Sequence, residues 1–140
     1  MTQRKHALVV DDDPEIQQLI RSYLPDHFDV HAAYVGEEAV ELYKTMTEQS
    51  RRPDVVVMDL NLSGTTDEAA MIRQMNGDEM DGVQTAKKIL EMDPDADIVG
   101  FTAFADIEWG DRLKKTGAIR VFPRNIGFDT FSQKIQQIVA

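Results

Sequence analysis

The sequence predicts an α/β fold, a doubly wound parallel sheet made by five βα units in succession. Three observations carry this expectation. Short apolar runs recur five times along the chain, each about the length of one buried strand. Segments with apolar residues at i, i+3, i+4 spacing lie between them, the stripe of a helix that covers one face of a sheet. Strands that alternate with helices in this way form parallel sheets with helices on both faces, joined by right-handed crossovers.

The elements follow in order. Ala7-Leu8-Val9-Val10 reads as the first strand. Asp13 caps a helix with Pro14 at its first position, and Ile16, Leu19, Ile20, Tyr23 and Leu24 form its apolar face before Pro25 stops it. Residues 28–34 form a second strand, and Gly36–Glu48 a helix that turns Ala39, Val40, Leu42, Tyr43 and Met46 inward. Val55–Met58 is the clearest buried strand. Val83, Ala86, Ile89 and Leu90 mark a helix that ends near Pro94, and residues 98–101 a fourth strand. A helix over residues 106–115 ends at Gly117, residues 119–122 make the fifth strand, and Phe128, Phe131, Ile135 and Ile138 stripe a last helix.

Composition narrows the function. The 140 residues suit one domain, read as residues 1–140, and 42% hydrophobic with 29% charged residues is a globular balance. A net charge of −10 argues against direct nucleic-acid binding and against anionic membrane surfaces. With no Cys, disulfides, thiolate zinc sites and cysteine catalysis are excluded. No apolar run reaches the roughly 20 residues of a membrane span, and the N-terminus lacks a signal-peptide core. A cytoplasmic protein is the expectation.

In such sheets ligands bind beyond the carboxyl ends of the strands. There the sequence places Asp11, Asp12 and Asp13 after strand one, Asp59 after strand three, Thr102-Ala103 after strand four and Arg124 after strand five. Carboxylates that converge on one edge repel each other, and a hard divalent cation such as Mg²⁺ relieves that repulsion. A carboxylate in such a place can act as a nucleophile toward phosphorus. Asp13, followed by Pro14, reads as a helix cap. His6, His27 and His31 have no ligand spacing and read as ordinary strand or surface residues.

These residues, taken with Val9-Val10-Asp11-Asp12-Asp13-Pro14, Pro53-Asp54-Val55-Val56-Val57-Met58-Asp59-Leu60-Asn61-Leu62, Met80-Asp81-Gly82, Phe101-Thr102-Ala103 and Gly117-Ala118, resemble the receiver domain of two-component response regulators over nearly the whole chain. The resemblance implies a flavodoxin-like sheet of order 2-1-3-4-5. It implies that Asp59 accepts a phosphoryl group from a histidine kinase or phosphotransfer protein. It further implies that Asp11, Asp12, Asp59 and the backbone carbonyl of Asn61 hold Mg²⁺, and that Thr102 binds a phosphoryl oxygen. With only about one helix after strand five, a stand-alone module is expected, its output passing through an unidentified partner protein; a homodimer stays open.

Three departures from the family pattern stand out. Where the family has Lys-Pro after strand five, this chain has Arg124-Asn125, with Pro123 one residue early. A trans bond and a reshaped loop are expected there, with Arg124 either gripping the phosphoryl group bidentately or staying at the rim. The usual aromatic position in strand five is Val121. Between Asp59 and Met80-Asp81-Gly82, residues 64–79 form an insertion of roughly fifteen residues, long for a loop. In it Thr65 to Glu68 fits a capping box, and Ala69, Ala70, Met71, Ile72 and Met75 suggest a short helix closed by Asn76-Gly77. A lid, a partner surface and a tolerated surface excursion are all open for this segment. Gly110 inside a helix reads as tolerated, and Trp109 as either a packed anchor or an output contact. The alternative to phosphotransfer is a receiver-like binding module that works without phosphate. A phosphohydrolase is disfavoured, because Asn61 stands where a general acid two residues after the nucleophile is expected.

Overall fold

In the computed structural model, residues 4–65 and 67–140 are described. The order is β1 (Lys5–Val10), α1 (Pro14–Tyr23), β2 (Phe28–Ala33), α2 (Gly36–Glu48), β3 (Val55–Met58), α3 (Glu68–Met75), α4 (Gly82–Met92), β4 (Ile98–Thr102), α5 (Glu108–Thr116), β5 (Arg120–Pro123) and α6 (Phe128–Ile138). A short 3-10 turn, Arg124–Ile126, links β5 to α6. All strand pairs are parallel, in the order β2-β1-β3-β4-β5. This is the expected doubly wound sheet with one inserted helix.

Successive side chains of a strand point to opposite faces, and here both faces are buried. Leu8, Val10, Val56 and Met58 join Tyr43, Ile89, Trp109 and Leu113 on one side. Ala7, Val9, Val55 and Val57 join Ile20, Phe101, Phe131 and Ile135 on the other. There Phe101 stacks on Phe131 with ring centroids 3.9 Å apart and meets Phe128 edge-on. The register aligns Val10 with Met58 and Met58 with Gly100. Asp11 and Asp59 therefore leave the sheet side by side, which only a β1-β3 neighbourhood allows.

Several local expectations change in the structure. The N-cap of α3 is Asp67, whose carboxylate accepts from Ala70 N at 3.4 Å, so the helix starts later than the capping-box reading placed it. Thr65 Oγ1 instead accepts from Asp67 N at 3.0 Å, a turn ahead of the cap. Thr66 lies outside the described residues. Helix α5 starts at Glu108, because residues after Thr102 first turn back, Ile107 N donating to Phe104 O. Arg124 opens a 3-10 turn and no cis peptide bond occurs among the described residues, the expected reshaped loop. Trp109 is fully buried, an anchor and not an exposed contact.

Gly110 is not merely tolerated. A Cβ there would lie 2.3 Å from Ala105 O and 2.7 Å from Ala105 C, so the turn after β4 packs directly on the helix backbone. In an open helix, Gly→Ala stabilises by about 1 kcal/mol. Here the added methyl collides with backbone, an overpacking cost of about 1–3 kcal/mol. Gly110→Ala is expected to lower the urea midpoint; a raised midpoint would show that the turn yields freely.

Candidate functional site

The site is a cleft of about 560 Å³ at the carboxyl edge of the sheet, lined by Asp11, Asp12, Asp59, Asn61, Gly64, Thr65, Phe104 and Arg124, among others. Backbone hydrogen bonds carry the ladder up to its floor: Asp11 N donates to Ala33 O at 3.0 Å and Asp59 N to Val10 O at 2.9 Å. Asp11 and Asp59 are buried and Asp12 is half-buried, and each offers one oxygen within 4.8 Å of the other two. Asp13 is the N-cap of α1, accepting from Glu15 N at 2.9 Å, and does not join the cluster.

Three acidic groups this close are costly out of water. Burial, and then the charge of Asp59, push the Asp11 carboxyl well above the ordinary carboxylate range. Burial likewise raises Asp59, against the pull of Arg124 and then of the Thr102 hydroxyl. Asp12 is raised by burial and held back by a hydrogen bond from the Gly64 backbone. The buried Asp11 and Asp59 lie side by side, so the cost of placing charge there falls on both.

Among the described residues that line the cleft, one is a cation. Arg124 Nη2 lies 3.1 Å from Asp11 Oδ2 and 3.8 Å from Asp59 Oδ1, and donates to Phe101 O at 2.9 Å. Its guanidinium stacks over the Phe101 ring, 4.6 Å from the centroid. The 3-10 turn thus brings Arg124 over the cleft and not to its rim. Thr102 is fully buried at the end of β4, with its hydroxyl accepting from Phe104 N at 3.3 Å. Val121 is only half-buried and belongs to the α2/α4/α5 side of the sheet.

One guanidinium against three carboxylates leaves the ionised cluster two charges negative. Its donors are all oxygen, partly open to the cleft, the set that suits Mg²⁺ with several waters retained. The residues therefore fit a hard divalent cation.

A five-stranded parallel sheet of order 2-1-3-4-5, with an acidic cluster at the ends of β1 and β3, defines a receiver-type signalling domain. The chain belongs to the response regulator receiver domain family, whose sequence pattern matches residues 7–136. It is 31% identical to the chemotaxis protein CheY of Halobacterium salinarum over 115 residues, covering 81% of this chain and 79% of that protein. It is 28% identical over 101 residues to an uncharacterized transcriptional regulatory protein, YhcZ, of Bacillus subtilis. That match covers 72% of this chain, which spans 39% of the relative's length. Its fold is similar to that in a solved CheX–CheY–BeF3–Mg²⁺ complex from Borrelia burgdorferi, with a TM-score of 0.75 and 20% identity, covering 99% of this chain and 91% of that one. Among the described residues no helix is long and apolar enough to cross a membrane.

The structure adds roles that the sequence left unassigned. Gln17 of α1 donates to the carbonyls of Val9, Asp11 and Ala33 at 2.9–3.1 Å and so pins the end of β1. Asp81, the N-cap of α4, accepts from Gln84 N and from Trp109 Nε1 at 2.7 Å, which fixes α4 against α5. Gly64 N donates to Asp12 Oδ2 at 2.6 Å. A buried Gln on an otherwise apolar helix stripe was a readable signal; the Gly64 contact, across 52 residues, had none.

A pH dependence follows from the raised pair. Between the ordinary carboxylate value and its raised folded value, each group binds more protons folded than unfolded. Metal-free stability therefore falls as pH rises through that window. Asp59→Asn removes one member of the pair. It is expected to stabilise the metal-free protein by about 1–2 kcal/mol at pH 7.5, and by much less near pH 4. Urea unfolding in chelator at both pH values checks this; a destabilised or pH-independent variant would contradict it.

Proposed function

We propose that Asp59 accepts a phosphoryl group from a phosphohistidine of a histidine kinase or phosphotransfer protein, and that the change is read by an output partner. The observation that supports this most is the placement of the buried Asp59 beside Asp11, at the floor of an open cleft, with Arg124 and Thr102 converging on it. A carboxylate oxygen of Asp59 attacks phosphorus in line. The P–N bond to the donor imidazole breaks, its electron pair stays on the ring nitrogen, and an acyl phosphate forms on Asp59. Asp11, Asp12, Asp59 and the Asn61 backbone carbonyl would hold Mg²⁺, which supplies charge neutralisation for the phosphoryl oxygens.

The remaining groups answer the new dianion. Arg124 already stacks on Phe101, so its fork is ordered before the phosphoryl group arrives, and little freedom is lost in gripping it. Binding a phosphoryl oxygen requires Arg124 to exchange its Asp11 contact for the new anion. The Thr102 hydroxyl donates to another oxygen, and Phe104, whose N–H is bonded to that hydroxyl, moves with it. Phe104 lies against Trp109 with ring centroids 5.1 Å apart, so the movement reaches α5. The phosphoryl group thus biases a surface through this chain of packed groups.

Incubation with Mg²⁺ and acetyl phosphate is expected to give an acid-stable, base-labile adduct that Asp59→Asn abolishes. Arg124→Ala is expected to lower adduct occupancy about tenfold, the worth of one charge-assisted hydrogen bond, while Arg124→Lys retains part of it. An adduct that persists in Asp59→Asn would contradict the assignment. No adduct from any donor would favour a binding module that works without phosphate, a reading supported by the Arg124–Asp11 ion pair, which already neutralises part of the cluster.

A further inference from the structure

The insertion is bonded to the rest of the domain more closely than a surface excursion needs. Its helix α3 carries one buried polar side chain, Gln74, 2% exposed among largely exposed neighbours. Gln74 Oε1 accepts from Leu62 N at 3.1 Å, and its Nε2 donates to Met80 O at 3.3 Å. Leu62 and Met80 are the two stems of the insertion, so a single amide clamps them together. Arg112 of α5 holds the far end through Met75 O at 2.8 Å.

The near stem leads straight to the acidic cluster. Asn61 turns its side chain toward the insertion, donating to Thr65 O at 2.9 Å and accepting from Ser63 N and Ser63 Oγ. Gly64 follows with φ +81, a conformation that suits glycine, and aims its N–H at Asp12 Oδ2. Asp12 is the half-buried member of the cluster, its side chain otherwise facing an open cleft. The Gly64 bond removes its rotamer freedom before a cation arrives, while an oxygen stays within 4.8 Å of Asp11 and Asp59.

We propose that the insertion is a positioning element for the cation site: Gln74 clamps its stems so that the Gly64 N–H holds Asp12 in its ligating orientation. The proposal rests on the reading of Asp11, Asp12 and Asp59 as the Mg²⁺ site. Its logic is that of groups that orient metal ligands, whose loss typically costs about 10–100-fold in metal affinity. Gln74 touches neither the ion nor the phosphoryl group; it acts through Leu62 and Gly64.

Magnesium affinity is the readout, measured by calorimetric titration of the whole chain with MgCl2, with metal-free urea stability measured in parallel. Gln74→Leu is expected to weaken Mg²⁺ binding about tenfold. Gln84→Leu serves as control: it loses the exposed contact from Gln84 Nε2 to Gly77 O but leaves both stems clamped, and its affinity is expected to equal wild type. Should Gln74→Leu fail to fold, Gly64→Ala decides the matter. A Cβ at Gly64 meets no heavy atom within 4 Å, so no clash opposes folding, while the strain of a side chain at φ +81 is expected to shift the N–H off Asp12. A several-fold weaker affinity for that variant supports the proposal. Wild-type Mg²⁺ affinity in the folded variants would overturn it and leave the site reading standing. Wild-type protein that binds no Mg²⁺ would instead remove the site reading, and the proposal with it.

Discussion

Mutual repulsion among three carboxylates, at the edge of a sheet that buries two of them, is the constraint from which the rest of the structure follows. Asp11 and Asp59 sit side by side because β1 and β3 are neighbours in register. A doubly wound sheet creates that neighbourhood where its winding reverses. Burial makes their charges expensive, and like-charge proximity makes them more so. Left alone, such a pair lowers the stability of the fold. A hard divalent cation among the three carboxylates would relieve the strain, and the domain would gain a state that responds to chemistry.

The neighbours of the cluster divide the work of holding it. Gln17 fixes the end of β1 through three carbonyls. Asp81 ties the start of α4 to Trp109. Arg124 supplies a positive charge, stacked on Phe101 so that its position is set by packing as well as by attraction. A guanidinium in this place offers a planar fork where a lysine would offer a point charge. The chain combines that change with a half-buried aliphatic Val121 in β5 and with the aromatic pair Phe104–Trp109 beside the cleft. On the proposed function, the path from site to surface would run through α5 packing.

Much of this was legible in the sequence because the informative signals are local. Runs such as Val55–Met58 are readable as buried strands since both faces of a parallel strand are covered. Asp13 before Pro14 is readable as a cap because the chemistry of a helix N-terminus is confined to one turn. Strand-end positions of Asp11, Asp12, Asp59, Thr102 and Arg124 follow from those assignments. What escaped depends on contacts between residues far apart in the chain. The Cβ-excluding approach of Ala105 to Gly110 depends on how one turn folds back on a helix. The placement of Arg124 over the cleft depends on a 3-10 turn that no periodicity announces. The start of α3 was misplaced because Thr65 and Asp67 are both acceptable caps by type, and only the geometry of the bonded stems selects Asp67.

The proposed signalling role requires that Asp11, Asp12 and Asp59 form one cation-binding unit. The most direct measurement follows the side-chain carboxyl ¹³C resonances of these residues as MgCl2 is added to the metal-free protein. The three signals are expected to move together along one saturation curve, while Asp13, as a helix cap, stays in place. Independent movement, or no movement at all while other aspartates respond, would show that the carboxylates do not share a cation, and the signalling interpretation would lose its chemical basis.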